Sequence, residues 1–369
     1  MVLTIGVLRD ININEKRVSI VPEGARSLAG SGVNVLIESG AGEGAFFNDS
    51  EYEEVGARII SSRHELLELS NIIVTVQRPS ISDISAMKTG AIVVGIIMPE
   101  KYPKILKSLM ENGITAFSLE RIPRISRAQV MDVLTSQSSV AGYSATILAA
   151  EQSPRFMPML STAAGTIRPS RVLVVGAGVS GLMAIATARR LGASVTGYDV
   201  RRTAGEDVKS LGARFLDLSI EATGSGGYAR ELTAEEKQAQ SQALENEICS
   251  SDIIITTASV PGKKAPRIIS RPTVEKMKPG SVIVDLAADS GGNCEVTEPG
   301  KSVTIKGVKI LGFIDWPSRI PVNASEMFSR NAVEFLRLLV HGGEPLKDFG
   351  DEILKATRLG AGSSGEGML

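Results

Sequence analysis

The chain has 369 residues, enough for two or three domains at about 150 residues each, with a net charge of −1 and 43% hydrophobic but only 4% aromatic residues. The near-neutral balance argues against a nucleic-acid or anionic-membrane surface, and no apolar run approaches the ~18 residues of a membrane span. Two cysteines, Cys249 and Cys294, and two histidines, His64 and His341, supply neither a disulfide framework nor a zinc site, so no metal is expected.

The opening Met1-Val-Leu-Thr-Ile-Gly-Val reads as a strand rather than a signal peptide, and the chain reads as cytoplasmic. Over the first ~120 residues short apolar runs alternate with helical patterns. Strands are expected at 4–8, 33–38, 72–76, 91–97 and 115–118, and helices lie between them, for example at 22–29 and 101–111. That alternation is a doubly wound α/β unit. It has no Gly-x-Gly-x-x-Gly of its own, so no nucleotide is assigned to it. Residues 124–150 carry Ser, Gln and Ala at helical density and are expected to form one long connecting helix, followed by a loop at 163–169.

Residues 171–181 carry the strongest signal: Arg171-Val-Leu-Val-Val runs straight into Gly176-x-Gly178-x-x-Gly181, with a helix expected over 182–191 and a second strand ending on Asp199. The first glycine permits a tight turn, the second lets a pyrophosphate approach the backbone, and the third lets helix and strand pack closely. Free N–H groups at the helix start face phosphate. The acid about 20 residues on suits a ribose 2′-OH and repels a 2′-phosphate, so NAD(H) is favoured over NADP(H). Arg201 and Arg202 are of the type that can accommodate a 2′-phosphate, but the acid holds the strand-end position. Later strands are expected at 214–217, 253–257, 281–285 and 308–313, and a helix at 324–339 that runs back toward the first domain. The stretch from Ala222 to Gln242 is too long for an ordinary connection. From its residues alone it reads equally as a lid over the cofactor or as a disordered insertion. The Gly- and Ser-rich tail from Gly360 is flexible by composition.

Several segments together resemble one family: Glu38-Ser-Gly-Ala-Gly42 with Phe47 and Asp49; Arg124-Ile-Ser-Arg127-Ala-Gln129-Val-Met-Asp132; Arg171 to Gly181 with Asp199-Val200-Arg201; Thr256-Thr-Ala258-Ser259-Val-Pro-Gly-Lys263; Lys278 to Asp285; and Gly291-Gly-Asn-Cys294. The chain resembles the NAD(H)-binding component of proton-translocating nicotinamide nucleotide transhydrogenases, a sister group of the alanine dehydrogenases. The resemblance covers nearly the whole chain, and the Arg-x-x-Arg-x-Gln-x-x-Asp stretch is specific to the transhydrogenase branch.

The resemblance implies an α/β fold of two doubly wound Rossmann-like domains joined by long helices, with the cofactor in the cleft between them. The expected domains are 1–135 plus 319–369, and 136–318. It implies a homodimer, peripheral to the inner membrane through partner subunits, that passes hydride between NADH and NADP⁺ held on a partner domain linked to membrane-spanning subunits. By the same resemblance Arg124, Gln129, Asp132 and Thr135 form the polar loop at the nicotinamide and ribose. Thr135 stands where the family usually has Ser. Arg127, Gly176, Gly178, Val179, Gly181, Asp199, Val200, Arg201, Ala258 and Ser259 are the expected cofactor contacts, and Gly227, Tyr228 and Gln240 match the family's mobile loop, which favours the lid. Ser259 stands where Leu is more common, and Asp289 where this branch often has Glu.

The alternative is a standalone alanine-dehydrogenase-like enzyme. Amino-acid oxidation needs a general base and a cation for the substrate carboxylate. Where the alanine dehydrogenases have Lys and His, this chain has Gln77 and Met98. Arg17 is retained but cannot by itself remove a proton. A non-enzymatic NAD(H)-sensing module is the third reading. Cys294, with no histidine nearby in sequence to activate it, reads as a structural thiol.

Overall fold

The computed structural model describes residues 2–12, 14–218, 234–259, 263–341, 344–345 and 349–359. By its internal contacts the chain divides into two units, Met1–Gln137 with Pro317–Leu369, and Ser138–Trp316.

The first unit opens with β1 (Thr4–Val7), α1 (Pro22–Ala29), β2 (Asn34–Glu38), α2 (Asp49–Glu54), β3 (Arg58–Ile60), α3 (Arg63–Leu69), β4 (Ile72–Gln77), α4 (Ile81–Ala86), β5 (Ile92–Ile96), α5 (Pro103–Glu111) and β6 (Thr115–Ser118). Helix starts follow local chemistry. Pro22 opens α1, the Ser62 hydroxyl accepts the Glu65 N–H at α3, and Ser80 and Asp83 cap each other at α4. The strands pair in parallel in the order β6-β5-β4-β1-β2-β3. Their near-continuous apolar runs suit a sheet buried on both faces. Ile72 and Val74 enter one core cluster, and Ile73 between them enters the cluster on the other face. The strand order reverses between β4 and β1, and ligands of such sheets bind outside the strand ends at that point.

The long helix expected over 124–150 is broken. A 3-10 segment, Ser126–Met131, comes first, and α6 (Val133–Gln152) starts after it. Asp132 causes the break: its carboxylate accepts the Thr135 N–H at 2.9 Å and so caps α6.

In the second unit the expected loop at 163–169 is instead a hairpin of β7 (Leu160–Thr162) and β8 (Gly165–Ile167). Then come β9 (Arg171–Val175), α7 (Val179–Arg190), β10 (Ser194–Tyr198), α8 (Ala204–Ser210), β11 (Arg214–Phe215), α9 (Ala234–Ser250), β12 (Ile253–Thr256), α10 (Arg271–Lys276), β13 (Val282–Asp285), β14 (Ser302–Ile305) and β15 (Val308–Leu311). The sheet order is β11-β10-β9-β12-β13-β15-β14, parallel except for β14, and it reverses between β9 and β12. Val172 and Val174 pack with α6 and α7, and Leu173 and Val175 pack with Ile248 of α9 and Val274 of α10. This is an α/β fold with two Rossmann-like sheets.

The chain then returns to the first unit as α11 (Pro321–Leu339), β16 (Val340–His341), β17 (Glu344–Pro345), α12 (Glu352–Thr357) and β18 (Arg358–Leu359). Helix α11 lays Phe328, Ala332, Phe335 and Leu336 into the core against β1, β2 and β4, and β18 adds to the sheet antiparallel to β6. Among the described residues no helix is long and apolar enough to cross a membrane.

Candidate active site

In the second unit the end of β9 turns into α7 through three glycines with three different tasks. Gly176 has φ 98°, where a side chain is strained. A Cβ on Gly181 would lie 1.8 Å from the Gly176 carbonyl oxygen, so only glycine lets α7 sit this close to the turn. A Cβ on Gly178 would meet nothing within 4 Å. The protein leaves that space to something else, beside the start of α7, which has no side-chain cap. Uncapped N–H groups and open backbone are what a pyrophosphate requires, so the residues present fit a dinucleotide.

Asp199 follows β10 directly. One carboxylate oxygen accepts the Ala177 N–H at 2.8 Å, and the other accepts the Arg201 N–H at 2.8 Å. The Arg201 guanidinium adds contacts at 3.0 and 3.1 Å. Burial pushes the Asp199 carboxyl up, but the bonds from Arg201 and Ala177 outweigh it and hold the group below its ordinary range. The acid is therefore ionised at neutral pH and fixed in place. Val179 is partly exposed and Val200 is almost fully exposed beside it. Arg201 lies on the acid rather than standing free for a phosphate.

From β12, the Thr257 hydroxyl donates to the Gly176 carbonyl at 3.0 Å. Ala258 and Ser259 come next. The carbonyl of Ala258 is held by Asn293, a residue to which the motifs assign no role of its own. Asn293 is fully buried, and its amide donates to the Ala258 carbonyl at 2.7 Å and to the Pro266 carbonyl at 2.8 Å. The available signal is Asn within Gly-Gly-Asn-Cys, a polar residue between turn glycines and a buried thiol. Asp285 at the end of β13 is likewise buried, and it accepts from Thr256, Ala287, Cys294 and Thr297. Burial pushes the Cys294 thiol up to about 11, which leaves it un-ionised at neutral pH. Gln240, on α9, donates to the Leu218 carbonyl at 2.5 Å. Gly227 and Tyr228 lie outside the described residues.

In the first unit Arg124 and Gln129 are exposed. Ala128 and Met131 of the 3-10 segment are buried with α11 in the core. Asn331 of α11 donates to the Val130 carbonyl at 2.7 Å. Asp132 accepts both the N–H and the hydroxyl of Thr135, at 2.9 and 2.6 Å, so the threonine keeps the hydrogen bond that a serine would make. Arg127 pairs with Asp351 at the start of α12, at 2.8 and 3.2 Å, on the surface of this unit.

At the reversal point of the first sheet lies a buried polar cluster. Arg17 donates to Glu15 at 2.7 and 2.5 Å and to Gln137 at 2.8 Å, and Gln77 donates to Glu15 at 3.1 Å. Burial pushes Glu15 up, but the charge and hydrogen bonds of Arg17 together with bonds from Ser318 and Gln77 hold it low, while burial and the Glu15 charge push the nearby Asp10 up. Met98 has φ 51°, and its N–H is held by Glu120 at 2.6 Å. Among the described residues no group of three or more acids, histidines or cysteines is placed to bind a metal.

The family description "Alanine dehydrogenase/PNT, N-terminal domain" matches residues 6–141, and "Alanine dehydrogenase/PNT, C-terminal domain" matches residues 145–361. The chain is 43% identical over 343 residues to an NAD(P) transhydrogenase alpha-subunit chain of Rhodospirillum rubrum, covering 90% of this chain and 89% of that one. It is similar to the crystal structure of transhydrogenase from Sinorhizobium meliloti, with a TM-score of 0.88 and 41% identity over 97% of this chain and 99% of that chain. Alanine dehydrogenase of Halomonas elongata is more distant, 31% identical over 92% of this chain and 88% of its own length.

Proposed function

The chain belongs to the alanine dehydrogenase/PNT family, and we propose that it is the NAD(H)-binding subunit of a proton-translocating NAD(P)⁺ transhydrogenase, acting as a homodimer with partner subunits that hold NADP(H) and span the membrane. The observation that carries this reading is the pairing of an NAD-type glycine turn and fixed Asp199 with a polar loop whose Gln129 and Arg124 are exposed.

When bound, NADH supplies the hydride. The chain's residues bind and orient it. The start of α7 takes the pyrophosphate, Asp199 accepts from the adenosine ribose and disfavours a 2′-phosphate, and Val179 and Val200 offer apolar contact. Ala258, held through Asn293, borders the same turn, and Ser259 follows it. Arg124, Gln129, Asp132 and Thr135 fix the nicotinamide and its ribose, and Gly227 and Tyr228, outside the described residues, are with Gln240 the further nucleotide contacts that the resemblance assigns. Hydride transfer needs the two rings held within about 3–3.5 Å in aligned orbitals and little other chemistry. Peripheral attachment to the inner membrane follows from the partners, and pumping requires them.

The alanine-dehydrogenase reading is weaker because Gln77 and Met98 offer no proton acceptor, and Arg17 is engaged by Glu15 and Gln137. The test is to mix the purified chain with the NADP(H)-binding component of a transhydrogenase and follow hydride exchange between NADH and an NADP⁺ analogue. Exchange that depends on both proteins supports the proposal. No exchange, together with amino-acid-dependent reduction of NAD⁺, would establish the other reading.

A further inference from the structure

We infer that Asn331 of α11 is a positioning residue that sets the reactive placement of Gln129 and Asp132; the inference rests on the function proposed above. Val130 stands between those two side chains, and its carbonyl accepts the Asn331 amide N–H at 2.7 Å. Next to that tie, the Asp132 N–H reaches the Gln129 carbonyl at 3.3 Å at the end of the 3-10 segment. Its apolar residues Ala128 and Met131 pack inward, so the loop's height above the core is set by what lies beneath it. Beneath it is α11.

The same helix holds the far end. Gln137 in the first turns of α6 donates to the Ala324 carbonyl at 3.1 Å, and Ala324 and Asn331 are about two turns apart on one face of α11. The stretch from Val130 to Gln137, which carries Asp132, is thus strung between two ties to one helix, and Gln129 adjoins the first of them.

The chemistry of Asn331 marks it as more than packing. It lies nine-tenths buried among apolar neighbours such as Phe328, Ala332 and Phe335. Only an amide nitrogen can face the Val130 carbonyl, so the orientation of its amide is fixed. The other end, Oδ1, is buried with no hydrogen-bond partner among the described residues. A buried acceptor left unpaired is a cost that needs an explanation. A leucine of similar outline would avoid it. What the asparagine supplies is the donor to the loop.

Asn331→Leu removes the donor and the orphaned oxygen together while keeping the volume. Asn331→Asp keeps the outline and replaces the donor by an acceptor. Both are made in the full chain, which retains Gln129 and Asp132. Three quantities are measured for each: single-turnover hydride exchange with the NADP(H)-binding component of a transhydrogenase, NADH affinity, and thermal midpoint. A loop displaced by a fraction of an ångström should slow transfer about tenfold or more, since about 1 Å costs on the order of a hundredfold. NADH affinity should stay near wild type, because the glycine turn and Asp199 lie in the other unit. Either folded variant transferring at the wild-type rate overturns the inference. So does a defect fully explained by weaker NADH binding, and so does a lowered thermal midpoint with normal transfer. If the wild-type chain itself exchanges no hydride, the functional proposal fails and takes this inference with it, an outcome distinct from a variant-only result.

Discussion

The carboxylate of Asp199 accepts the main-chain N–H of Ala177 at 2.8 Å, so the acid that ends the second strand also pins the middle of the glycine turn. The residue that selects the nucleotide and the backbone that cradles its phosphates are one hydrogen-bonded unit. Asp199→Ala should therefore do two things. It should weaken NADH binding by about tenfold to a hundredfold, the worth of a charge-assisted hydrogen bond, and it should narrow the preference over NADPH. Calorimetry with both nucleotides reads this. Equal affinity of the wild type for the two would remove Asp199 from its assigned role.

The glycines separate folding from binding. Gly181→Ala places a Cβ 1.8 Å from the Gly176 oxygen and must push α7 off the turn, so both the thermal midpoint and NADH affinity should fall. Gly178→Ala meets open space in the protein alone and should leave the midpoint nearly unchanged while NADH binding is lost. If Gly178→Ala binds NADH normally, the open space beside α7 is not where the pyrophosphate sits.

Acid should loosen the first unit through Asp83. Burial pushes this carboxyl up, but hydrogen bonds from Arg63 and Ser80 outweigh it and hold the group below its ordinary value. A depressed folded value means the pair's contribution is complete above about pH 4, the ordinary aspartate range, and is lost as pH falls through the folded value. Asp83→Asn breaks a pair in which Arg63 donates at 2.7 and 3.0 Å while Arg63 keeps Glu38, and it should cost about 1.5 kcal/mol at neutral pH. The difference from wild type should shrink in denaturant titrations below about pH 4. A difference independent of pH would show that the pair is not the cause.

Purified alone, the chain should not reduce NAD⁺ with alanine or other amino acids. Gln77 donates its amide to Glu15 at 3.1 Å and cannot act as a base. A steady amino-acid-dependent rise in NADH absorbance would contradict this.

Gln129→Asn withdraws the amide by one methylene. Hydride transfer in the reconstituted complex should fall by up to about a hundredfold, with NADH affinity little changed. A normal transfer rate would make Gln129 a surface residue.

The sequence is most legible where local rules and tertiary packing agree. Strand 171–175, the three glycines and strand 194–198 follow from composition and spacing, because a buried parallel strand and a tight turn each leave a signature in adjacent residues. It is least legible where a side chain acts on distant backbone or against the surrounding composition. Helical composition continues through Asp132 and hides its capping of α6, although an acid three residues before a hydroxyl is there to be read. The hairpin at 160–167 escapes pattern reading because its exposed strands carry little apolar alternation. Asn293 and Asn331 act across 35 and 201 residues of sequence, and no local pattern encodes such ties.

Met98 gives the fold an unexpected openness to new chemistry. Its left-handed backbone, with φ 51° and its N–H clamped by Glu120, is a conformation that methionine tolerates poorly and that histidine adopts several-fold more readily than most residues. Met98→His would therefore lessen the local backbone strain rather than add to it. At this site the backbone would not resist a move toward amino-acid oxidation. The resistance would come from Gln77 and from the Glu15–Arg17 pair, whose buried charges would have to be rearranged together.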